Sequence, residues 1–134
     1  MRIVGFKLLK VSAERFKDLS GNIQISTNFS IPKTEKENLK DPLGKEIAFS
    51  FDFSYILKYQ DFAQIEFHGK IYGVFDKKIA KELEKEESNI PEEVKTFLLN
   101  YILHKNHVET LHLEEKLGLP FHIDSPKVKI ETRA

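Results

Sequence analysis

Five histidines are the first residues in this chain whose chemistry invites inspection: His68, His104, His107, His112 and His122. His104 and His107 stand three apart in a segment with helical periodicity. With a carboxylate such as Glu109 or Glu115 they could supply ligands to a zinc ion. No HExxH spacing occurs, however, and three of these histidines fall where the pattern reads as surface or helix bend. Solvated or capping imidazoles are the stronger reading, and no metal is expected. The chain has no cysteine, which removes disulfides, thiolate catalysis and cysteine metal sites together. Neither GxSxG nor any other nucleophile constellation is present. Gly69-Lys70-Ile71-Tyr72-Gly73 is no phosphate loop, because neither GxxxxGK[ST] nor GxGxxG can be written over it. Carboxylate pairs are a matter of spatial arrangement, and the 21 acidic residues leave them open. Asp52 stands out on the polar face of an aromatic strand, where a water-facing aspartate is the ordinary reading. The expectation is a chain that is not an enzyme and takes no cofactor.

The elements that would hold any site are organised around Ile47–Phe75. From Ile47 to Tyr59 every odd position is apolar (Ile47, Phe49, Phe51, Phe53, Tyr55, Leu57, Tyr59), and the even positions are mostly small or polar. Such period-two alternation predicts a half-buried strand. A second run (Ala63, Ile65, Phe67, Ile71, Phe75) follows after a gap short enough for an antiparallel neighbour. Gly69 and Gly73 within it predict a bulge or a close backbone approach. Upstream, Arg2–Val11 has apolar residues on both faces, as in a strand covered on two sides or joined to a partner chain. Ser12–Ser20, with Phe16 and Leu19, reads as a connection, Asn22–Ile31 as a second strand, and Pro32–Lys45 as a polar loop. Downstream, Asp76–Ser88 predicts a short exposed helix, and Ser88-Asn89-Ile90-Pro91 predicts the start of another. Ile90, Val94, Phe97, Leu98, Tyr101 and Ile102 form its apolar stripe, which then runs onto Lys105. A helix over Pro91–Asn106, a bend near His104–His107 and a second segment over Val108–Leu117 are therefore expected. Gly118 and Pro120 stop it, and an extended tail with Val128 and Ile130 follows.

Length and charge set bounds. A chain of 134 residues implies one domain, residues 1–134. Its 21 basic and 21 acidic residues cancel, so no nucleic-acid partner or anionic membrane is indicated. No apolar run approaches the roughly 18 residues of a spanning helix, and no signal peptide is read at the N-terminus. A cytoplasmic protein without membrane insertion is the expectation. Thirteen strand residues reach about 43 Å, whereas a 16-residue helix covers about 24 Å. One such helix would leave part of the aromatic face uncovered. Phe49, Phe51, Phe53 and Tyr55 then become an assembly face, or a groove for extended apolar peptides, in an oligomer.

The order of these segments resembles the SecB export-chaperone family, in particular its short archaeal-type members. RIVGFKLLKVSAERF is similar to that family's first strand and crossover. GNIQISTNFSI and IAFSFDFSYILKY resemble its second and third strands, and AQIEFHGKIYGVF its fourth. IPEEVKTFLLNYIL resembles the long helix, and LGLPFHIDSPKVKIE the proline-marked tail. The resemblance implies an ATP-independent holdase that captures unfolded, export-bound polypeptides in apolar grooves, built as a tetramer of paired dimers. It places Phe16 and Leu19 in the crossover that edges the groove, as peptide-contacting residues. The chain departs from the family in its lack of acidity, in the little room left for a second flanking helix, and in lacking the zinc-binding tail that docks a SecA-type motor. That docking is accordingly not expected.

These readings converge on an α+β fold, a four-stranded antiparallel sheet with a long C-terminal helix on one face, assembling as a dimer or tetramer. The expected function is a holdase-type chaperone for unfolded polypeptides. A dedicated single-partner binder of the toxin–antitoxin type is the alternative, and a small hot-dog-like thioesterase, which needs a buried carboxylate at a pocket, is the third.

Overall fold

Alternation at period two becomes four long antiparallel strands, and the computed structural model describes residues 1–37, 46–85 and 90–123. The strands are β1 (Arg2–Arg15), β2 (Ile25–Glu37), β3 (Glu46–Tyr59) and β4 (Ala63–Asp76), and the helices are α1 (Lys77–Lys85) and α2 (Glu92–Leu117). The sheet order is β1-β4-β3-β2, so the aromatic hairpin lies in the centre and β1 and β2 are the edges. In the register of β3 on β4, Phe51 lies opposite Ile71 and Tyr55 opposite Phe67. One face of the hairpin is therefore continuous and apolar.

Both edge strands are bulged. In β1 the register slips by one residue at Val4 and again at Leu9, which moves its inward set to Ile3, Phe6, Leu8, Val11 and Ala13. Its two-sided apolar pattern reflects these phase changes, because an extra residue reverses which face the next side chain takes. In β2 the two residues Ile31 and Pro32 oppose a single residue of β3. The strand continues past the point where a polar loop was expected, since an edge strand tolerates proline at a bulge. The remainder of that expected loop, 38–45, lies outside the described residues, as do 86–89 with the expected start signal Ser88-Asn89, and 124–134 with Val128 and Ile130.

The largest correction concerns the helix. α2 runs unbroken for 26 residues, about 39 Å at 1.5 Å per residue, with no bend at His104–His107. Pro91 precedes it and its carbonyl accepts the Lys95 N–H, while Glu92 and Glu93 meet the positive end of the dipole. Gly118 ends it in the left-handed region, φ 64°, and the Leu119 N–H returns to the Glu114 carbonyl at 2.8 Å, a Schellman closure. A helix of that length covers the aromatic face. Phe49, Phe51, Phe53 and Tyr55 are only 2%, 0%, 2% and 1% exposed in the single chain. These four aromatics are its interior, and the surplus face deduced from a 16-residue helix does not exist. α1 closes the far end of the same face with Ala80 and Leu83, its first turn capped by Asp76 Oδ1, which accepts the Ile79 N–H at 3.0 Å.

Gly69 is a true close approach. A Cβ there would stand 2.2 Å from the Lys7 carbonyl oxygen and 2.9 Å from the Phe53 ring.

Candidate functional site

α2 crosses the inner face diagonally. Its first half lies by β2, where it shares a cavity with Phe29, Ser30 and Ile31, and its end lies by β1, where Arg15 Nη1 donates to the Leu117 carbonyl at 3.1 Å. A diagonal helix leaves a wedge beside β2. The wedge is a cavity of about 320 Å³ walled by Phe29, Ile31, Ile90 and Leu99, with Ser30, Glu92 and Lys95 completing its lining. One wall is an edge strand, whose outer backbone groups have no neighbouring strand among the described residues. The Ile31–Pro32 bulge lies in that wall. A slot of mixed lining, mostly polar at its open surface, beside a strand edge with no described neighbour suits an extended polypeptide, which can add backbone hydrogen bonds along the strand and place a side chain in the slot. Glu92 and Lys95 supply one charge of each sign at adjacent turns of the helix.

A second feature is polar and buried. The inward stripe of α2 advances by fours: Val94, Leu98, Ile102, then Asn106, Thr110 and Glu114. Glu114 is 0% exposed. Its Oε2 accepts the Tyr59 hydroxyl and the His122 backbone N–H, the latter at 2.8 Å, and its Oε1 lies 2.8 Å from His122 Nδ1. Burial, reinforced by the charge of Glu114, pushes the Tyr55 phenol up to about 12. Tyr59 is displaced upward too, chiefly by burial and then by its hydrogen bond to Glu114. The Tyr55 hydroxyl and both polar atoms of the Asn106 side chain are buried without a partner among the described residues. Glu114 is the buried carboxylate that a hot-dog-type enzyme would require, yet the three donors it takes belong to its own chain. The cavity described above lies at the other half of the helix.

The residues singled out in the sequence are dispersed. Phe16 is 54% exposed and its N–H donates to the Phe62 carbonyl at 2.7 Å; Leu19 packs on the core edge. Both lie at the β3–β4 turn end of the sheet and not in the β2 wedge. Asp52 is on the outer face, 3.6 Å from Lys70 Nζ. His104 and His112 are exposed, His68 faces Glu66 at 3.7 Å, and His107 stands with its ring 5.9 Å from that of His122. No group of three potential metal ligands comes together among the described residues. No described helix is long and apolar enough to cross a membrane.

Sequence reasoning missed the wedge and Glu114. In the sequence the stripe runs from Ile102 onto Lys105 and a break is expected at His104–His107, whereas the straight helix carries it on to Asn106, Thr110 and Glu114.

No family model matches the chain, and no curated protein matches it. Among solved structures, its fold is similar to that of Rv1957, a SecB-like chaperone of Mycobacterium tuberculosis in complex with a ChAD peptide from the Rv1956 HigA1 antitoxin, at 15% identity and a TM-score of 0.48, over 99% of this chain and 91% of that one.

Proposed function

We propose that this chain is an ATP-independent, non-enzymatic chaperone that holds unfolded polypeptide segments, and that it acts in the cytoplasm without a cofactor. The observation that carries the reading is the wedge. A cavity of about 320 Å³, with Phe29, Ile31, Ile90 and Leu99 in its walls but most of its open lining polar, lies beside a strand edge that has no neighbour among the described residues. Edge addition supplies affinity through main-chain groups common to every sequence, and the slot takes a side chain that meets both its apolar walls and its polar lining. Phe16 and Leu19, at the β3–β4 turn end of the sheet, are a second contact point in this proposal. They extend the surface available to a long client.

Assembly as a dimer or tetramer belongs to the same proposal, with its location revised. Since the central aromatics are interior, β1 is the better assembly edge. Val4, Leu8, Leu9 and Val11 are all exposed there, along a strand with no neighbour on its outer side among the described residues.

The test is suppression of aggregation of a chemically denatured client, without ATP, at near-stoichiometric ratio. Suppression that disappears in Ile31→Glu supports the wedge as the site. No suppression at several-fold excess overturns the holdase reading. Pull-down of one stoichiometric partner, with no effect on generic clients, selects the dedicated binder instead.

A further inference from the structure

α2 is held to the sheet by two chemically different halves. The first is apolar, through Val94, Leu98 and Ile102. The second is mixed: its fully buried positions are the polar Asn106, Thr110 and Glu114, flanked by Leu113 and Leu117, which pack partly buried on the core. Apolar burial attaches a helix without directional demands, whereas a polar interface holds only while its hydrogen bonds are made. The change falls at one turn. Thr110 Oγ1 donates to the Asn106 carbonyl at 2.7 Å, a carbonyl that also closes the helical turn. Such back-bonding slightly destabilises a helix at that turn. Asn106 adds two buried polar atoms with no partner among the described residues, a further local cost.

Beyond this turn, among the described residues, the attachment combines partly buried Leu113 and Leu117 and buried Leu119 with a small set of directional hydrogen bonds. After Gly118 the chain folds back, and Leu119 is buried while Phe121 and Ile123 are both 46% exposed. His122 binds Glu114 through its backbone and its ring, and Tyr59 of β3 holds the same carboxylate from below. The other charged or titratable groups facing this junction are Tyr55 on β3, His107 on α2 and Arg15 on β1.

We propose that the last turns of α2 and the segment Gly118–Ile123 form a flap, hinged at Asn106–Thr110 and latched by Glu114, which opens to admit an apolar polypeptide segment onto the sheet. The floor it would uncover is the turn end of β3 and β4, where Leu57, Tyr59, Ala63 and Ile65 are all fully buried or nearly so. Exposed Phe16, bonded to the Phe62 carbonyl, stands at its rim. An unfolded polypeptide is the occupant because the floor is apolar and flat while its rim is backbone and one aromatic ring. The opening follows from the two-halved helix alone; the occupant rests on the chaperone reading.

Amide hydrogen exchange on the full chain without client tests the flap. Amides of 108–117, 119 and 122 should exchange roughly tenfold faster than those of 98–103, as expected for a separately opening unit. Glu114→Gln should accelerate the flap amides by about another tenfold, the loss of charge-assisted bonds, and leave β3 and β4 protected. Asn106→Leu, which extends the apolar stripe, should slow them. A single rate along α2 in all three proteins overturns the flap, as does Glu114→Gln stripping protection from the whole sheet. Binding of an apolar dye should rise in Glu114→Gln and fall in Asn106→Leu. If the exchange pattern holds but client capture is the same in both variants, admission by the flap is overturned. If it holds and no client is captured by any of them, the chaperone reading fails and the flap stands.

Discussion

Replacing Gly69 would set a methyl group 2.2 Å from the Lys7 carbonyl on the neighbouring strand. A backbone oxygen cannot swing aside as a side chain does, so β1 and β4 would have to separate. Gly69→Ala should therefore cost about 3 kcal/mol, at the upper end of overpacking penalties, read as a lowered urea midpoint with unchanged slope. A change under about 0.5 kcal/mol, the range of neutral surface substitutions, would show that the strands are looser than drawn. Tyr55 allows a test of a different kind. Its phenol is pushed from 10.0 up to about 12, first by burial and second by the charge of Glu114. The folded state thus keeps a proton that the unfolded state loses first. The resulting stabilisation is fully present below pH 10 and is lost as pH rises from there through about 12, with Tyr59 acting in the same direction. Phenolate absorbance should show Tyr55 and Tyr59 ionising only as the chain unfolds. Ionisation of all four tyrosines near pH 10 in a folded chain would contradict the buried junction.

At the scale of elements, the edges carry the next expectation. Val4 and Leu9 are the extra residues at the two bulges of β1, and their apolar side chains point into solvent. If β1 is the assembly edge, Leu9→Lys should shift the chain toward monomer in a sizing measurement without changing its circular dichroism. An unchanged particle size would remove β1 from the interface. The same bulges explain what was legible beforehand. β3 and β4 pair without a slip, so their alternation kept one phase and both strands could be located closely. β1 and β2 slip, and each slip exchanged the two faces, which disguised one strand as doubly covered and cut the other short at Ile31. The helical span of α2 was legible to Leu117, with a break that it does not have, but its inward face was legible only through Ile102. Beyond it the inward positions are Asn106, Thr110 and Glu114, which look like surface until Tyr59 and His122 are seen to satisfy the carboxylate. The wedge could not be read at all, because it depends on the angle at which the helix crosses the sheet.

At the scale of the whole molecule, charge decides how clients should arrive. The 21 basic and 21 acidic residues cancel, and the charges that the described residues bring to the wedge are one of each sign, Glu92 and Lys95. Long-range attraction for clients of either sign is accordingly small, and contacts across apolar surface and strand edge must supply the affinity. Salt screens charges beyond a Debye length of about 8 Å at physiological ionic strength but leaves short-range burial nearly untouched. Capture of a denatured client should then change by less than about twofold between low and high sodium chloride, since electrostatic steering is what gives association its steep ionic-strength dependence. The measurement is the concentration of chain needed to halve client aggregation, repeated across salt with an acidic and a basic client. Closely matched values for the two clients at every salt concentration are the expected result. A basic client captured far better at low salt would mean that a charged surface, such as the outer face carrying Glu66 and Asp52, does the binding. The wedge would then be an incidental gap beside β2.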